Sequence, residues 1–263
     1  MPLGVLFMPT ALLFVLFLFL PLAAMFWRAI DSGELQSSIS SSLVVDGLKL
    51  SAITSTISLV IVIVFGTPLA YLLARRSFPG KLLVDLLVDL PIVLPPTVAG
   101  VALLVAFGRR GVLGPEIRSF GIELAFTTTA VILAQTFVSA PFYIRTVKTG
   151  FASVDEQYEG VAATLGASPL RIFWRIVLPL SWPSVLAGAI LCWARALGEL
   201  GATLIFAGNF QGRTQTMPLA IIGVFDAGRT IDLAIALSVI LVAAAAILLF
   251  LLRVFARAGS SGF

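Results

Sequence analysis

The apolar runs in this chain are too long for a fold that faces water on all sides. Stretches near 3–27, 50–74, 84–107, 125–146, 184–206 and 231–253 are mostly apolar, one of the six being slightly more polar than the rest. About twenty such residues in a helix cross a hydrocarbon core of about 30 Å. Backbone groups in lipid must be satisfied internally, so spans are helices or a closed barrel. The runs are continuous and lack period-two alternation, which excludes the barrel. The expected fold class is therefore an all-α membrane protein with about six transmembrane helices, a single transmembrane domain over residues 1–263. Composition agrees: 11% of residues are charged and 59% hydrophobic, where soluble domains carry about 25% charged residues.

The first run, from Leu3 to Trp27, has no basic residue before it and no small-x-small site after it. It reads as an uncleaved span and not as a secretory signal. Cys192 is the single cysteine and lies within an apolar run, so no internal disulfide forms. The chain has no histidine, which excludes a Ser-His triad and a His-ligated zinc within it. The net charge is +4, with basic residues at span ends and not in one patch, so nucleic acid is not an expected partner. No G-x-x-x-x-G-K-[ST] run occurs, so the chain has no loop of that kind for ATP.

Proline punctuates the spans at Pro9, Pro21, Pro68, Pro91, Pro95, Pro96, Pro141 and Pro183. In a membrane helix each frees a carbonyl and bends the axis. The run Leu90 to Thr97 holds three of them, which predicts a break in the third span between Pro91 and Thr97. The longest connection, from Gly150 to Pro183, reads as a helical hairpin. Ser153 and Glu156 fit a capping box, and the helix then runs through Tyr158, Val161, Ala162 and Leu165 to Gly166, suited to a left-handed C-terminal position. Ser168-Pro169 opens a second helix, which carries Ile172, Phe173 and Ile176 on one side and is expected to end at Pro179. Pattern alone leaves open an amphipathic interfacial helix without a partner.

The segment Glu159 to Ser168, followed by Ile176-Val177-Leu178-Pro179, resembles the EAA loop of binding-protein-dependent ABC importer permeases. Counting back from Gly166, the motif glutamate position holds Gly160, and Glu159 precedes it by one; the second position is Val161, not alanine. In that family the loop is the coupling helix that docks on a cytoplasmic ATPase, which makes Glu159, Ala162, Ala163, Gly166, Ala167 and Ser168 the coupling residues that the resemblance implies. Within the family, residues 50–230 look most like molybdate permeases, through Leu94-Pro95-Pro96-Thr97-Val98-Ala99-Gly100, Phe107 to Gly111, Arg195 to Thr203, and Asn209 to Pro218. Sulfate and tungstate permeases share much of this. The resemblance implies a homodimer around one pathway, a dimer of ATPase subunits inside and an oxyanion-binding protein outside, with both termini cytoplasmic in a cell membrane. It implies that this chain binds no cofactor, and that ATP and Mg sit on the partner ATPase. The positive charges agree weakly with that orientation, nine inside against seven outside.

Arg195 and Glu199 are four apart in the fifth span, so they either pair with each other or line the pathway with Thr203 one turn on. Pro95, Pro96 and Thr97 join them as pathway or gate candidates. Asp85 and Asp89 share the four-residue spacing and are expected to pair with Arg75, Arg76 or Lys81. Arg109 and Arg110 sit in a glycine-flanked loop, and with Arg213 they are either solvated or in contact with the acidic rim of the binding protein. Two other classes stay in view. A secondary carrier would need coupling ions and an internal repeat, and no repeat is evident. An intramembrane enzyme lacks the histidines.

Overall fold

The computed structural model describes residues 3–260, with side chains for 7–247, 249 and 250. The elements, all helical, are α1 (Leu3–Asp31), α2 (Glu34–Ile39), α3 (Ser42–Arg75), α4 (Lys81–Val93), α5 (Pro96–Phe107), α6 (Gly114–Ser119), α7 (Thr128–Ser153), α8 (Glu156–Thr164), α9 (Pro169–Ile172), a π-helical turn (Phe173–Val177), α10 (Leu178–Leu180), α11 (Trp182–Leu197), α12 (Gly201–Ala207), α13 (Met217–Asp226) and α14 (Ile231–Ser260).

Three helices, α3, α7 and α11, pack on one another and form the centre. Lipid offers no hydrophobic drive between helices, so close packing and polar contacts must hold them. Both are present. Gly66 of α3 lies against Tyr143 and Ile144 of α7, and Gly188 of α11 against the Tyr143 carbonyl and Val147. A side chain at either position would crowd that crossing. A row of small polar residues on α3, Ser51, Thr54, Ser55 and Ser58, is fully buried. Ser58 Oγ donates to the Ile132 carbonyl at 3.0 Å, and Ser51 Oγ accepts from the Met217 N–H at 2.8 Å. Helix starts are capped by side chains, Ser41 for α3 and Thr127 for α7, the residue type that satisfies the first free N–H groups. Around this centre α1 presents Phe7 to Leu20 almost wholly exposed, the surface a lipid-facing helix needs.

Several expectations shift. The second span starts at Ser42, earlier than residue 50, and the fourth runs on to Ser153. The helices pass through Pro9, Pro21, Pro68, Pro91 and Pro141 without ending. The third span does break within 91–97, at Leu94–Pro95, but as a turn of 119° between α4 and α5. Two helices of these lengths at that angle have far ends only about 19 Å apart at 1.5 Å of rise per residue. That is short of the bilayer core of about 30 Å, so the segment is a V and not a kinked rod. The fifth span is also interrupted, after Leu197, and resumes as α12. The 207–230 region, which the sequence leaves without an element, holds α13. Its Met217, Leu219 and Ala220 are fully buried, and it packs on α3 and α14.

Candidate functional site

The hairpin is built largely as its punctuation predicts, with two corrections. Ser153 is the last residue of α7, not an N-cap; Asp155 caps α8, accepting the Gln157 N–H at 2.9 Å. Helix α7 outlasts the expected boundary because its last turn is packed, with Phe151 fully buried. At the far end Gly166 has φ +82°. The Ala167 N–H donates to the Ala162 carbonyl and the Gly166 N–H to Ala163, both at 3.0 Å, which is the Schellman pattern. Pro169 sits in the first turn of α9 as expected. Pro179 does not end the second arm. The chain widens into the π turn at Phe173–Val177 and stays helical to Leu180. A π turn moves the carbonyl that the proline ring would meet in a regular helix, so the proline is absorbed. The arm then turns by 74° into α11.

Two sides of the hairpin differ. Ala162 and Ala167 are partly buried against the core cluster that holds Leu73, Phe151 and Ile172, so these two candidate coupling residues face the bundle. Ala163, Gly166 and Ser168 are exposed. Beside them stand apolar side chains that the motif does not single out: Tyr158, Val161, Leu165 (82% exposed), Leu170 and Trp174. Large apolar residues held this open together mark an interaction surface, for a protein partner or for the membrane interface. Glu159 turns the other way. Its Oε1 lies 2.9 Å from Arg75 Nη2, and its Oε2 accepts from the Tyr71 hydroxyl at 3.2 Å.

The other charged residues are sorted by tertiary contact. Asp85 pairs with Lys148, and Asp89 with Arg145 at 2.6 Å. The expected partners Arg75, Arg76 and Lys81 do not take them, because α4 lies along α7 and brings its two aspartates to a basic face there. Together with Leu73, Leu82 and Ile144 these pairs line a cavity of about 500 Å³ between α4 and α7.

Arg195 and Glu199 do form a pair, at 2.7 Å, with the glutamate side chain 1% exposed and the arginine 28%. They do not share a continuous helix with Thr203. Helix α11 stops at Leu197, and Glu199 Oε1 accepts the Ala202 N–H at 2.8 Å, capping α12. Thr203 is fully buried and its hydroxyl has no hydrogen-bond partner among the described residues, on a helix separate from the one that carries Arg195. The V and this second break meet. A Cβ at Gly201 would lie 2.7 Å from the Pro96 Cβ, and one at Gly100 would lie 2.8 Å from the Ala202 carbonyl. Pro95, Pro96 and Thr97 are exposed beside that contact.

At the end of α7 away from the hairpin, Arg110 and Arg213 are exposed, and Arg109 pairs with Glu123 at 3.0 Å. Thr128 Oγ1 donates to the Arg213 carbonyl at 2.8 Å, tying that loop to the start of α7. The roles of Arg75 and Tyr71 were not legible in the sequence. Their four-residue spacing at the end of an apolar run was visible, but nothing local points from them to Glu159.

The family model described as "Binding-protein-dependent transport system inner membrane component" matches residues 66–259. This chain belongs to that family. The match covers the last turns of α3, all of α7 and α11, both breaks and the hairpin, so the free apolar face described above lies on the family's shared scaffold. Among its relatives, the molybdenum transport system permease protein ModB of Mycobacterium tuberculosis is 43% identical over 235 residues, 89% of this chain and 87% of that protein. The molybdate/tungstate transport system permease protein WtpB of Pyrococcus abyssi is 41% identical over 73% of each chain. The fold is also that of a solved bacterial alginate ABC transporter in complex with a pentasaccharide-bound periplasmic protein. There the TM-score is 0.77 at 16% identity, covering 98% of this chain and 94% of the other.

Proposed function

We propose that this family member is the permease subunit of an ATP-driven importer for a tetrahedral oxyanion, molybdate first and tungstate beside it. The observation that carries the reading is 43% identity, over 89% of the chain, to a molybdenum permease. In this reading the chain works as a homodimer in the cell membrane, with the hairpin and both termini cytoplasmic. The free face of Tyr158, Val161, Ala163, Leu165, Gly166, Ser168, Leu170 and Trp174 docks on an ATPase dimer, which holds ATP and Mg; this chain binds no cofactor. An extracytoplasmic binding protein delivers the anion to the opposite end, where Arg109, Arg110 and Arg213 favour an anionic approach. Pro95, Pro96 and Thr97 face the second copy and form the gate, backed by the Arg195–Glu199 pair and Thr203. ATP and the loaded binding protein select the outward-open state by binding it better than the inward-open one.

The test is reconstitution of the chain with its ATPase and binding protein in vesicles. ATP-dependent molybdate uptake, competed by tungstate and weakly by sulfate, is the expected result. Preference for sulfate or thiosulfate would reassign the anion. Uptake driven by an ion gradient without the ATPase would overturn the importer reading in favour of a secondary carrier.

A further inference from the structure

Arg75 ends α3, the helix that packs most closely on α7, and its side chain is only 7% exposed. Three helix ends meet on its guanidinium. Nη2–H donates to the Val154 carbonyl at 2.6 Å, just past the end of α7. Nη2 also lies 2.9 Å from Glu159 and Nη1 lies 3.6 Å from Glu156, both on the first turns of α8. Each charge sits at the helix end whose dipole favours it, cation at C-termini and carboxylates at an N-terminus. Only a planar fork of several donors reaches all of these acceptors together. One turn earlier on α3, Tyr71 donates to Glu159 and stacks edge-on against Phe173 of the π turn, with ring centroids 5.2 Å apart, and against Phe151 at 5.8 Å. The last turn of α3 therefore holds both arms of the hairpin.

The departure from the motif register fits this. A Cβ built at Gly160 meets nothing within 4 Å, so the motif glutamate position points into open space. Position 159 is rotated by about 100° from it, one residue of an α-helix, and that rotation aims its carboxylate at α3.

We infer that Arg75, positioned with Tyr71 against Glu159, clamps the hairpin to α3, so that movement imposed on α8 enters the bundle through α3 as well as along the chain from α7. The hairpin cannot slide along α3 without stranding a charge that is largely out of water, a costly state. Arg75 is thus a positioning residue for coupling, away from the free face of the hairpin. The inference rests on the importer reading above.

The experiment uses the full complex in vesicles and compares wild type with Arg75→Met/Glu159→Gln and Arg75→Lys. The double variant leaves no stranded charge, so it is expected to accumulate and to co-purify with the ATPase. Molybdate imported per ATP hydrolysed should fall by about tenfold or more, the scale of coupling free energies between sites. Arg75→Lys, which keeps one ion pair, should recover part of that. Wild-type uptake per ATP in the double variant overturns the clamp, and so does failure of that variant to accumulate, because the pair would then serve stability. If the wild-type complex itself imports no oxyanion, the proposed function fails instead, which is a different result.

Discussion

The chain interrupts its helices at two places that pack on each other, Leu94–Pro95 and Gly198–Leu200, and the two interruptions have different origins. The first is written in the backbone. Pro95 and Pro96 cannot continue α4 with its hydrogen bonds, and Pro96 is suited to start α5. The second contains no proline. Helix α11 ends, Leu200 adopts a non-helical conformation at φ −131°, and the new helix is capped from outside by the Glu199 carboxylate. One break is local chemistry; the other depends on the buried Glu199 carboxylate being held between Arg195 and the start of α12. Two interruptions in contact thus differ in what sustains them, and substitutions should expose it.

The largest effect is expected at the second break. Arg195→Met leaves the Glu199 carboxylate buried with one N–H partner, and removing one member of a buried pair costs about 3–5 kcal/mol. Glu199→Gln strands the arginine instead, but Arg195 is part-exposed and the amide oxygen can still accept from Ala202, so it should cost less. The double variant should regain most of the loss. Thermal unfolding of the purified protein measures all three; equal losses in both single variants would show that burial of Glu199 does not set the cost.

Next comes the contact between the breaks. In Gly100→Val the new side chain meets the Ala202 carbonyl and Ile205, and overpacking of this kind costs about 1–3 kcal/mol. It should lower the melting temperature without touching either cap. An unchanged melting temperature would mean that the two breaks do not rest on one another.

The hairpin turn provides a purely conformational reference. Gly166 has φ +82° and open space around its missing side chain, so Gly166→Val should cost about 1–2 kcal/mol through backbone strain alone. Asn, which tolerates this region, should cost less. Two equal losses, read by thermal unfolding, would contradict the strain account. Any further loss of ATP-driven uptake in the Val variant, beyond that of the Asn variant, would report the docking face.

The smallest effect is expected at Pro95. Pro96 remains to start α5, and α5 still packs on α12. Pro95→Ala should therefore cost only about 0.4–1 kcal/mol, the scale of losing a pre-set backbone angle. A loss as large as that of Arg195→Met would erase the contrast between the two breaks.

Whatever a local rule can express was legible along the chain. Long apolar runs required helices, because lipid leaves unpaired backbone groups no partner. Pro95 and Pro96 required a break, and Gly166 required a left-handed turn. The cost of an isolated charge in an apolar span offered Arg195 and Glu199 to each other as one of two readings, and the structure chose the pair, formed across the end of α11. Tertiary structure alone decided the 119° angle of the V, the π turn that absorbs Pro179, and the end of α11 before Glu199. It also decided partners across long separations: Asp85 with Lys148, Asp89 with Arg145, and Glu159 with Arg75. Spacing along a helix says which side chains share a face, but not which distant helix will lie against it. Long-range charge pairing is set by that packing, and it is where the inward turn of Glu159 and the burial of Thr203 became visible.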